Sequence, residues 1–230
     1  MTPAPRQLAL EIPHRPALGL EDFLVSQSND AAVALVDRWP DWPVRAAVIA
    51  GPAGSGKTHL ANVWRLKSDA HVTAARDITA ASVPDFAAHG ALVVEDLDKG
   101  PLDEQGLFHL LNLVREQRLS LLMTSSVSPG DLPIVLPDFR SRVKALPLAE
   151  IAPPDDALLG AVLVKQFADR QLNVDPQVVT YCLLRMERSM DVARRLVAHI
   201  DTLALAMQKG VTKAVAAKAL DALAIEPRSS

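Results

Sequence analysis

Hydrophobic positions form short continuous runs in the first two thirds of the chain, separated by segments with a helical period. Short apolar runs between polar turns are typical of buried strands, and apolar residues every three or four positions are typical of amphipathic helices. The predicted strands and helices are Ala46–Ala50, 59–67, 91–94, 103–118 and 119–124. Strands that alternate with helices favour a parallel sheet with helices on both faces. We therefore predict an α/β domain of three layers.

After Pro147 the chain has helical periods only. Two prolines at 153–154 mark a boundary, and no strand is predicted in this part. Four helices are predicted over 155–171, 176–187, 189–208 and 211–223. Asp155 and Asp175 are suited to cap the first two of them. We predict a small all-helical lid domain over residues 153–225, after an α/β domain over residues 19–152.

Prolines also divide the N-terminal part of the chain. Four of them fall within the first sixteen residues, and because proline blocks a regular helix we predict an extended arm over residues 1–18. A helical pattern follows over residues 19–39. Pro40 and Pro43 end it.

Composition narrows the class of protein. The chain is 49% hydrophobic with a net charge of −3, so no global positive field draws it to nucleic acid or to an anionic membrane. No uninterrupted apolar run approaches the roughly 20 residues that cross a bilayer, and no signal-peptide pattern opens the chain. We expect a cytoplasmic protein with no membrane partner. Its single cysteine, Cys182, lies in an apolar run and is expected to be buried.

A glycine-rich segment between a predicted strand and a predicted helix satisfies the pattern G-x-x-x-x-G-K-[ST] of phosphate-binding loops. It consists of Gly51, Pro52, Ala53, Gly54, Ser55, Gly56, Lys57 and Thr58. Its glycines let backbone N–H groups face the β-phosphate, and the dipole of the following helix favours the same anion. Lys57 is predicted to contact the β- and γ-phosphates, and Thr58 to bind Mg²⁺. A mere glycine-rich turn would leave the buried cation Lys57 unexplained.

Two acidic residues follow predicted strand 91–94, where P-loop proteins hold magnesium. One acid of the pair Glu95 and Asp96 would contribute to the Mg²⁺ shell, and the next would orient the attacking water. Both are therefore metal candidates, and Asp96 is also a catalytic candidate. Asp98 and Lys99 are expected only to be solvated.

Polar residues also end the predicted strand 119–124. Thr124 and Ser125 are candidates to touch the γ-phosphate or the attacking water, and simple strand termination is the alternative. Arg140 and Arg142 follow a proline-punctuated loop. One of them is a candidate arginine finger, since a guanidinium offers bidentate contacts to a neighbouring subunit's phosphates. By composition alone, an ordinary surface pair explains both arginines equally well.

These motifs, over residues 7–223, resemble the Hda family of DnaA-related AAA+ regulators, especially its alphaproteobacterial members. The similar segments are 21–25 with 28–29, 56–60, 122–125 and 136–142. In that family they form the adenine-holding segment, the P-loop with its histidine, the sensor 1 strand and box VII. The nucleotide contacts that the resemblance adds are Phe23, Leu24, Val25 and His59. It also makes Arg142, rather than Arg140, the finger candidate.

The predicted arm carries a further motif at residues 7–12. The sequence Gln-Leu-Ala-Leu-Glu-Ile is similar to the motif by which Hda proteins grip the sliding clamp of the replicase. An amide and apolar side chains make a fair peptide ligand for a pocket. The resemblance implies clamp contacts by Gln7, Leu8, Leu10 and Ile12. The DNA-binding domain of DnaA is not expected here, so contact with DNA is expected only through the clamp.

Two positions depart from the family pattern. Glu95 stands where DnaA-type proteins have an aspartate, and Asp191 falls where a sensor 2 arginine is expected. A carboxylate contacts phosphate unfavourably. One alternative is that a nearby arginine takes the sensor 2 position: Arg188, Arg195 or, as the selected candidate, Arg194. The other is that the protein senses nucleotide poorly. Its own ATP hydrolysis is therefore in doubt.

The resemblance implies a negative regulator of replication initiation that binds ADP or ATP with Mg²⁺. Its partners would be DnaA and the β sliding clamp of DNA polymerase III, and a homodimer stays open. Arg142 would complete the active site of ATP-bound DnaA and promote hydrolysis there. Two alternatives remain: an autonomous, DNA-stimulated ATPase of the helicase-loader type, and an adaptor with a vestigial nucleotide site.

Overall fold

The chain forms two compact units in a computed structural model that describes residues 24–225. Of the described residues, the first unit comprises 27–153, and the second comprises 154–225 together with 24–26. The predicted arm over residues 1–18, its clamp motif, and Phe23 lie outside the described residues.

A parallel sheet of five strands lies at the centre of the first unit. The strands are β1 (Ala46–Ala50), β2 (His71–Ala74), β3 (Ala91–Glu95), β4 (Ser120–Ser125) and β5 (Leu148–Glu150). Their order across the sheet is β2-β3-β4-β1-β5. β1 and β4 pair in register from Ala46 with Leu121 to Ala50 with Ser125. Because parallel strands end at the same edge, the segments after β1, β3 and β4 are brought together.

Two strands, β2 and β5, were not predicted. β2 is an edge strand with two exposed and two half-buried residues, so its sequence shows no apolar run. β5 has three residues, of which only Ala149 is buried. The prediction that no strand follows Pro147 is wrong, because β5 begins at the next residue and pairs with β1.

Helices cover the sheet on both faces. They are α1 (Asp30–Arg38), α2 (Lys57–Ser68), α3 (Glu104–Gln117) and α4 (Pro137–Lys144). Alternate residues of β1, β3 and β4, such as Val48 and Leu92, pack in one core cluster with residues of α3 and α4. Their neighbours Ile49 and Val93 are equally buried, and α2 contacts β3 and β4. The alternation gives the predicted three layers.

The candidate finger segment is itself helical. The loop punctuated by proline that the sequence indicated ends before residue 137, and α4, which begins at Pro137, includes both Arg140 and Arg142. Proline is compatible with the first turn of a helix, where its missing N–H would have no partner. Phe139 and Val143 are the buried residues of α4.

The second unit consists of helices, as predicted, with one isolated β-bridge between Val174 and Val211. The helices are α5 (Asp156–Asp169), α6 (Pro176–Leu183), α7 (Met190–Ala206) and α8 (Lys213–Ile225). The predicted caps are confirmed: Asp155 accepts a hydrogen bond from the N–H of Leu158, and Asp175 accepts one from Gln177. Among residues 24–225, no helix is long and apolar enough to cross a membrane.

Candidate nucleotide-binding site

The phosphate-binding loop connects the buried strand β1 to helix α2. The backbone at Gly56 has φ 105°, in the left-handed region that glycine tolerates and other residues rarely adopt. At Gly51, a Cβ atom would lie 2.4 Å from the carbonyl oxygen of Ile151. The loop backbone therefore passes too close to the segment after β5 for any side chain at Gly51.

Lys57 is the first residue of α2 and is only 8% exposed. Its ammonium group donates hydrogen bonds to the carbonyl oxygens of Gly51, at 2.6 Å, and Pro52, at 3.0 Å. Burial lowers the pKa of Lys57, while the carboxylates of Asp98 and Asp96 oppose that shift. A cation held inside a curled backbone is suited to receive an anion.

Ser55 adds an unsatisfied polar group to the loop. Its side chain is 3% exposed, and its hydroxyl has no hydrogen-bond partner among the described residues. Buried polar groups are normally paired. Together with the narrow passage at Gly51 and the buried ammonium of Lys57, this orphaned hydroxyl fits a loop that receives a polar ligand.

Two acidic residues lie at the end of β3, and one of them, Asp96, is near enough to act electrostatically on Lys57. Asp96 has φ 61°, uncommon for a residue with a side chain. Its N–H donates to the Thr124 hydroxyl at 3.1 Å, and its carboxylate lies 3.3 Å from the Lys99 ammonium. Glu95, the last residue of β3, is half-buried. The left-handed turn at Asp96 therefore connects the end of β3 to the end of β4.

The expectation that Asp98 is only solvated is wrong. One oxygen of its carboxylate accepts a hydrogen bond from the Ser126 N–H at 2.7 Å and another from the Ser125 hydroxyl at 3.3 Å. Burial raises the pKa of the Asp98 carboxyl, but these hydrogen bonds outweigh it and hold the pKa below its usual value. The sequence contained no sign of this contact, except that Asp98 is a third carboxylate close to Glu95 and Asp96.

The hydroxyls at the end of β4 both take part in bonds within the chain. Thr124 and Ser125 are fully buried. The Ser125 hydroxyl donates to Asp98 and accepts from the Val127 N–H at 3.2 Å. The role of Thr124 and Ser125 in touching a phosphate stays a prediction. The structure adds that the Thr124 hydroxyl accepts a bond from the residue after β3, and that the Ser125 hydroxyl stabilises the turn after β4.

Magnesium would find oxygen donors at this edge. Thr58 is exposed on the first turn of α2 and offers a hydroxyl, while Glu95 and Asp96 offer carboxylates, the hard ligands that Mg²⁺ prefers. Among residues 24–225, no three acidic, histidine or cysteine side chains form a ready metal cluster. These residues suit an ion that nucleotide phosphates help to hold.

The remaining nucleotide candidates stay predictions. His59 is exposed beside Thr58, and Leu24 and Val25 are half-buried. In the second unit, Arg194 is exposed and its guanidinium lies 2.7 Å from the carboxylate of Asp191.

Arg142 is anchored to α3 of its own chain. Its guanidinium lies over the ring of Phe108, 4.5 Å from the centroid, and donates a hydrogen bond to the side-chain oxygen of Asn112. Arg140, by contrast, donates to the backbone carbonyl of Ile134 at 2.8 Å. Sequence reasoning did not identify Phe108 or Asn112, because a helical pattern alone does not show which face of α3 meets α4.

No protein-family model matches this chain. Its sequence is similar to the chromosomal replication initiator protein DnaA of Cutibacterium acnes (strain DSM 16379 / KPA171202). The identity is 23% over 240 residues, which cover 94% of this chain and 48% of that protein. The chain thus spans about half the length of the curated relatives it matches.

Solved structures give the fold. Domain III of the Thermotoga maritima replication initiation protein DnaA matches with a TM-score of 0.70 and 18% identity, covering 89% of this chain and 95% of that chain. DnaA from Aquifex aeolicus bound to AMPPCP matches with a TM-score of 0.69 and 19% identity, over 83% of this chain and 66% of that one. The chain is similar to DnaA proteins at low identity, and its fold is that of DnaA domain III, so the predicted AAA+ fold with a C-terminal helical region is confirmed.

Proposed function

We propose that this protein binds an adenine nucleotide at the loop Gly51–Thr58 and acts in the initiation of DNA replication. The observation that carries the proposal is the buried Lys57 ammonium inside a P-loop whose fold is that of DnaA domain III. The similar Aquifex aeolicus DnaA is bound to AMPPCP, an adenine nucleotide analogue. ADP and ATP are the proposed ligands, with Mg²⁺ held between Thr58, the acids after β3 and the phosphates.

Each part of the loop would have a distinct task. The N–H groups at the start of α2 would bind the phosphates, and the Lys57 ammonium would exchange its two carbonyl partners for phosphate oxygens. Mg²⁺, when bound, would neutralise charge on the β- and γ-phosphates. Asp96 would orient a water molecule.

The more specific proposal is an Hda-type regulator that promotes hydrolysis of the ATP bound to DnaA. The P-loop of this chain would then hold a nucleotide with a structural task, and Arg142 would act on the nucleotide of DnaA. Phe108 and Asn112 support this proposal, because they fix the guanidinium at one place on the surface of α3 and α4. A guanidinium has five N–H donors, so its bond to Asn112 leaves others to contact phosphate.

The clamp would concentrate this activity on replicating DNA. Residues Gln7, Leu8, Leu10 and Ile12 are the proposed contacts with the sliding clamp, and DNA would be reached only through it. The proposal rests on the sequence of the motif, which is typical of a short peptide that docks in a pocket.

The test measures hydrolysis of DnaA-bound ATP in the presence of DNA-loaded clamp. The parent protein is expected to accelerate it, and Arg142→Ala to lose the effect, since an arginine finger supplied in trans contributes about 10³–10⁵ in rate in GTPase systems. Lys144→Ala, an exposed cation on the same helix, is the matched control and is expected to act as the parent does. Full stimulation by Arg142→Ala would exclude the trans-acting role.

One observation favours a second candidate, an autonomous DNA-stimulated ATPase of the helicase-loader type. Asp96 follows β3 and its N–H is bonded to the Thr124 hydroxyl at the end of β4, which pairs with the strand that leads into the P-loop, so an acid and the P-loop lysine of one chain lie at the same edge of the sheet. Turnover of ATP without DnaA, stimulated by single-stranded DNA and absent in Asp96→Asn, would establish this function. No turnover by the parent would exclude it.

A further inference from the structure

The carboxylate of Asp98 is bonded to the turn after β4 and acts electrostatically on Lys57 of the phosphate-binding loop. Both of its described hydrogen bonds end on the same carboxylate oxygen, Oδ1, and come from Ser126 N–H and Ser125 Oγ. The donors are 28 and 27 residues away in sequence. The side chain of Asp98 therefore holds the end of one strand to the segment that follows another.

The contacts continue from this turn to the lysine of the loop. The carbonyl oxygen of Ser125 accepts a hydrogen bond from the Gly51 N–H at 3.1 Å. The carbonyl of Gly51 in turn accepts from the Lys57 ammonium at 2.6 Å. Asp98, Ser125, Gly51 and Lys57 thus form a continuous chain of contacts, in which displacement of Ser125 shifts the first residue of the loop.

The fit around Gly51 is tight, so such a shift has little room. A Cβ atom at Gly51 would lie 2.4 Å from the Ile151 carbonyl, which bounds the loop on the other side. Gly51 is thereby held between Ser125 and Ile151. Errors in position of about 1 Å are costly in sites that recognise fixed charges.

We propose that Asp98 is a positioning residue: its hydrogen bonds to Ser125 and Ser126 fix the turn after β4, and that turn fixes the phosphate-binding loop for the nucleotide. The inference rests on the proposed nucleotide binding. The carboxylate of Asp98 has two properties that substitutions can test separately: an acceptor oxygen at a defined place and a negative charge. The proposal assigns the role to the acceptor and its place.

Two substitutions separate these properties. Asp98→Asn keeps an acceptor oxygen of the same reach and removes the charge, whereas Asp98→Glu keeps the charge and moves the acceptor by one methylene. Asp98→Ala removes both. Asp131→Ala, which removes an exposed carboxylate on the loop that follows β4, is the control. The readouts are the dissociation constant for a fluorescent ADP analogue, measured well below the melting temperature, and the melting temperature itself.

The expected pattern is specific. Asp98→Ala and Asp98→Glu weaken binding by about 10-fold or more, the effect of leaving the part-buried Ser126 N–H without its acceptor. Asp98→Asn stays close to the parent, and Asp131→Ala is unchanged. If Asp98→Ala does not fold, the Asn and Glu variants decide alone.

Three results would overturn the inference. Parent-like affinity of Asp98→Ala or Asp98→Glu, with only a lower melting temperature, would make Asp98 purely structural. Weak binding by Asp98→Asn together with strong binding by Asp98→Glu would assign the effect to charge. If the parent protein itself does not bind the ADP analogue, the proposed nucleotide site is refuted and the inference falls with it. The measurement on the parent distinguishes this result from the first two.

Discussion

Polar groups have different surroundings in two regions of the molecule. One region is the phosphate-binding edge, formed by the segments that follow β1, β3 and β4, and the other is the helical unit. At the edge, Lys57, Thr124 and Ser125 are buried among hydrogen-bond partners, and Asp96 adopts a left-handed backbone conformation. In the helical unit, the core cluster is apolar, with Cys182 among its fully buried members. Its helices α5 to α7 begin with side-chain caps: Asp155 is half-buried, Asp175 is exposed, and Ser189 is buried with its hydroxyl bonded to the N–H of Val192.

The difference separates residues that stabilise from residues that act. In the helical unit, capping, apolar periodicity and packing all favour the same structure, as expected of a segment under selection for stability. At the phosphate-binding edge, a buried cation and a strained backbone cost stability, and such costs persist where the surroundings fix them for a function. Substitutions in the two regions should therefore differ in kind: altered binding at the edge, altered stability in the helices.

Gly51→Ala is expected to have the largest effect, on both binding and stability. The added methyl would meet the Ile151 carbonyl at 2.4 Å, so the loop must move. We expect a loss of about 1–3 kcal/mol in stability and on the order of 100-fold in affinity for ADP, measured by denaturation and by equilibrium binding. Gly90→Ala is the control, because nothing lies within 4 Å of its added Cβ. Equal behaviour of the two variants would refute the tight passage at Gly51.

Cys182 tests the helical unit through the pH dependence of stability. Burial raises the pKa of its thiol from 9.0 to about 11. Between these values the unfolded thiol has lost its proton and the native thiol retains it. The stabilisation is therefore fully present below pH 9 and is lost as the pH rises through about 11, by roughly 2–3 kcal/mol.

The measurement is the free energy of unfolding from pH 7 to 11 for the parent and Cys182→Ala. Because other groups titrate in this range, the difference between the two proteins isolates the thiol. We expect the advantage of the parent to shrink above pH 9. Parallel curves would show that the thiol is not buried as described.

Two helix caps, one in each unit, give the smallest effects. Asp155 accepts one hydrogen bond, from Leu158 N–H, whereas Asp103 accepts one from Gly106 N–H and a second from Ala80 N–H, outside its own helix. Asp155→Ala is expected to cost about 1 kcal/mol, and Asp103→Ala about twice as much. Urea denaturation compares them, and a smaller cost at Asp103 would contradict the additional role of its second contact.

The sequence allowed the helical unit to be predicted more fully than the site. Its four helices follow from periodicity and caps, which are local signals. The strand β2 was missed because an exposed edge strand lacks an apolar run, and β5 because it has only three residues. The contacts of Asp98 with Ser126 and of Arg142 with Phe108 join segments far apart in sequence, so no local pattern contains them.

The P-loop could be predicted in part, less fully than the helical unit and more fully than the contacts of Asp98 and Arg142. Its glycines, its lysine and the flanking strand and helix were recognisable, because the motif encodes a backbone geometry in consecutive residues. The structure, and not the sequence, revealed which carbonyls bind Lys57 and that the buried Ser55 hydroxyl has no partner among the described residues.

The central claim is that Lys57 forms the core of an adenine-nucleotide site, and equilibrium binding of ADP to the parent and to Lys57→Ala tests it most directly. Lys67→Ala, an exposed lysine on the same helix, serves as the control, and matching melting temperatures would show that all three proteins are folded. We predict that the parent and Lys67→Ala bind one ADP each and that Lys57→Ala binds none detectably. Equal ADP binding by Lys57→Ala and the parent would contradict the claim.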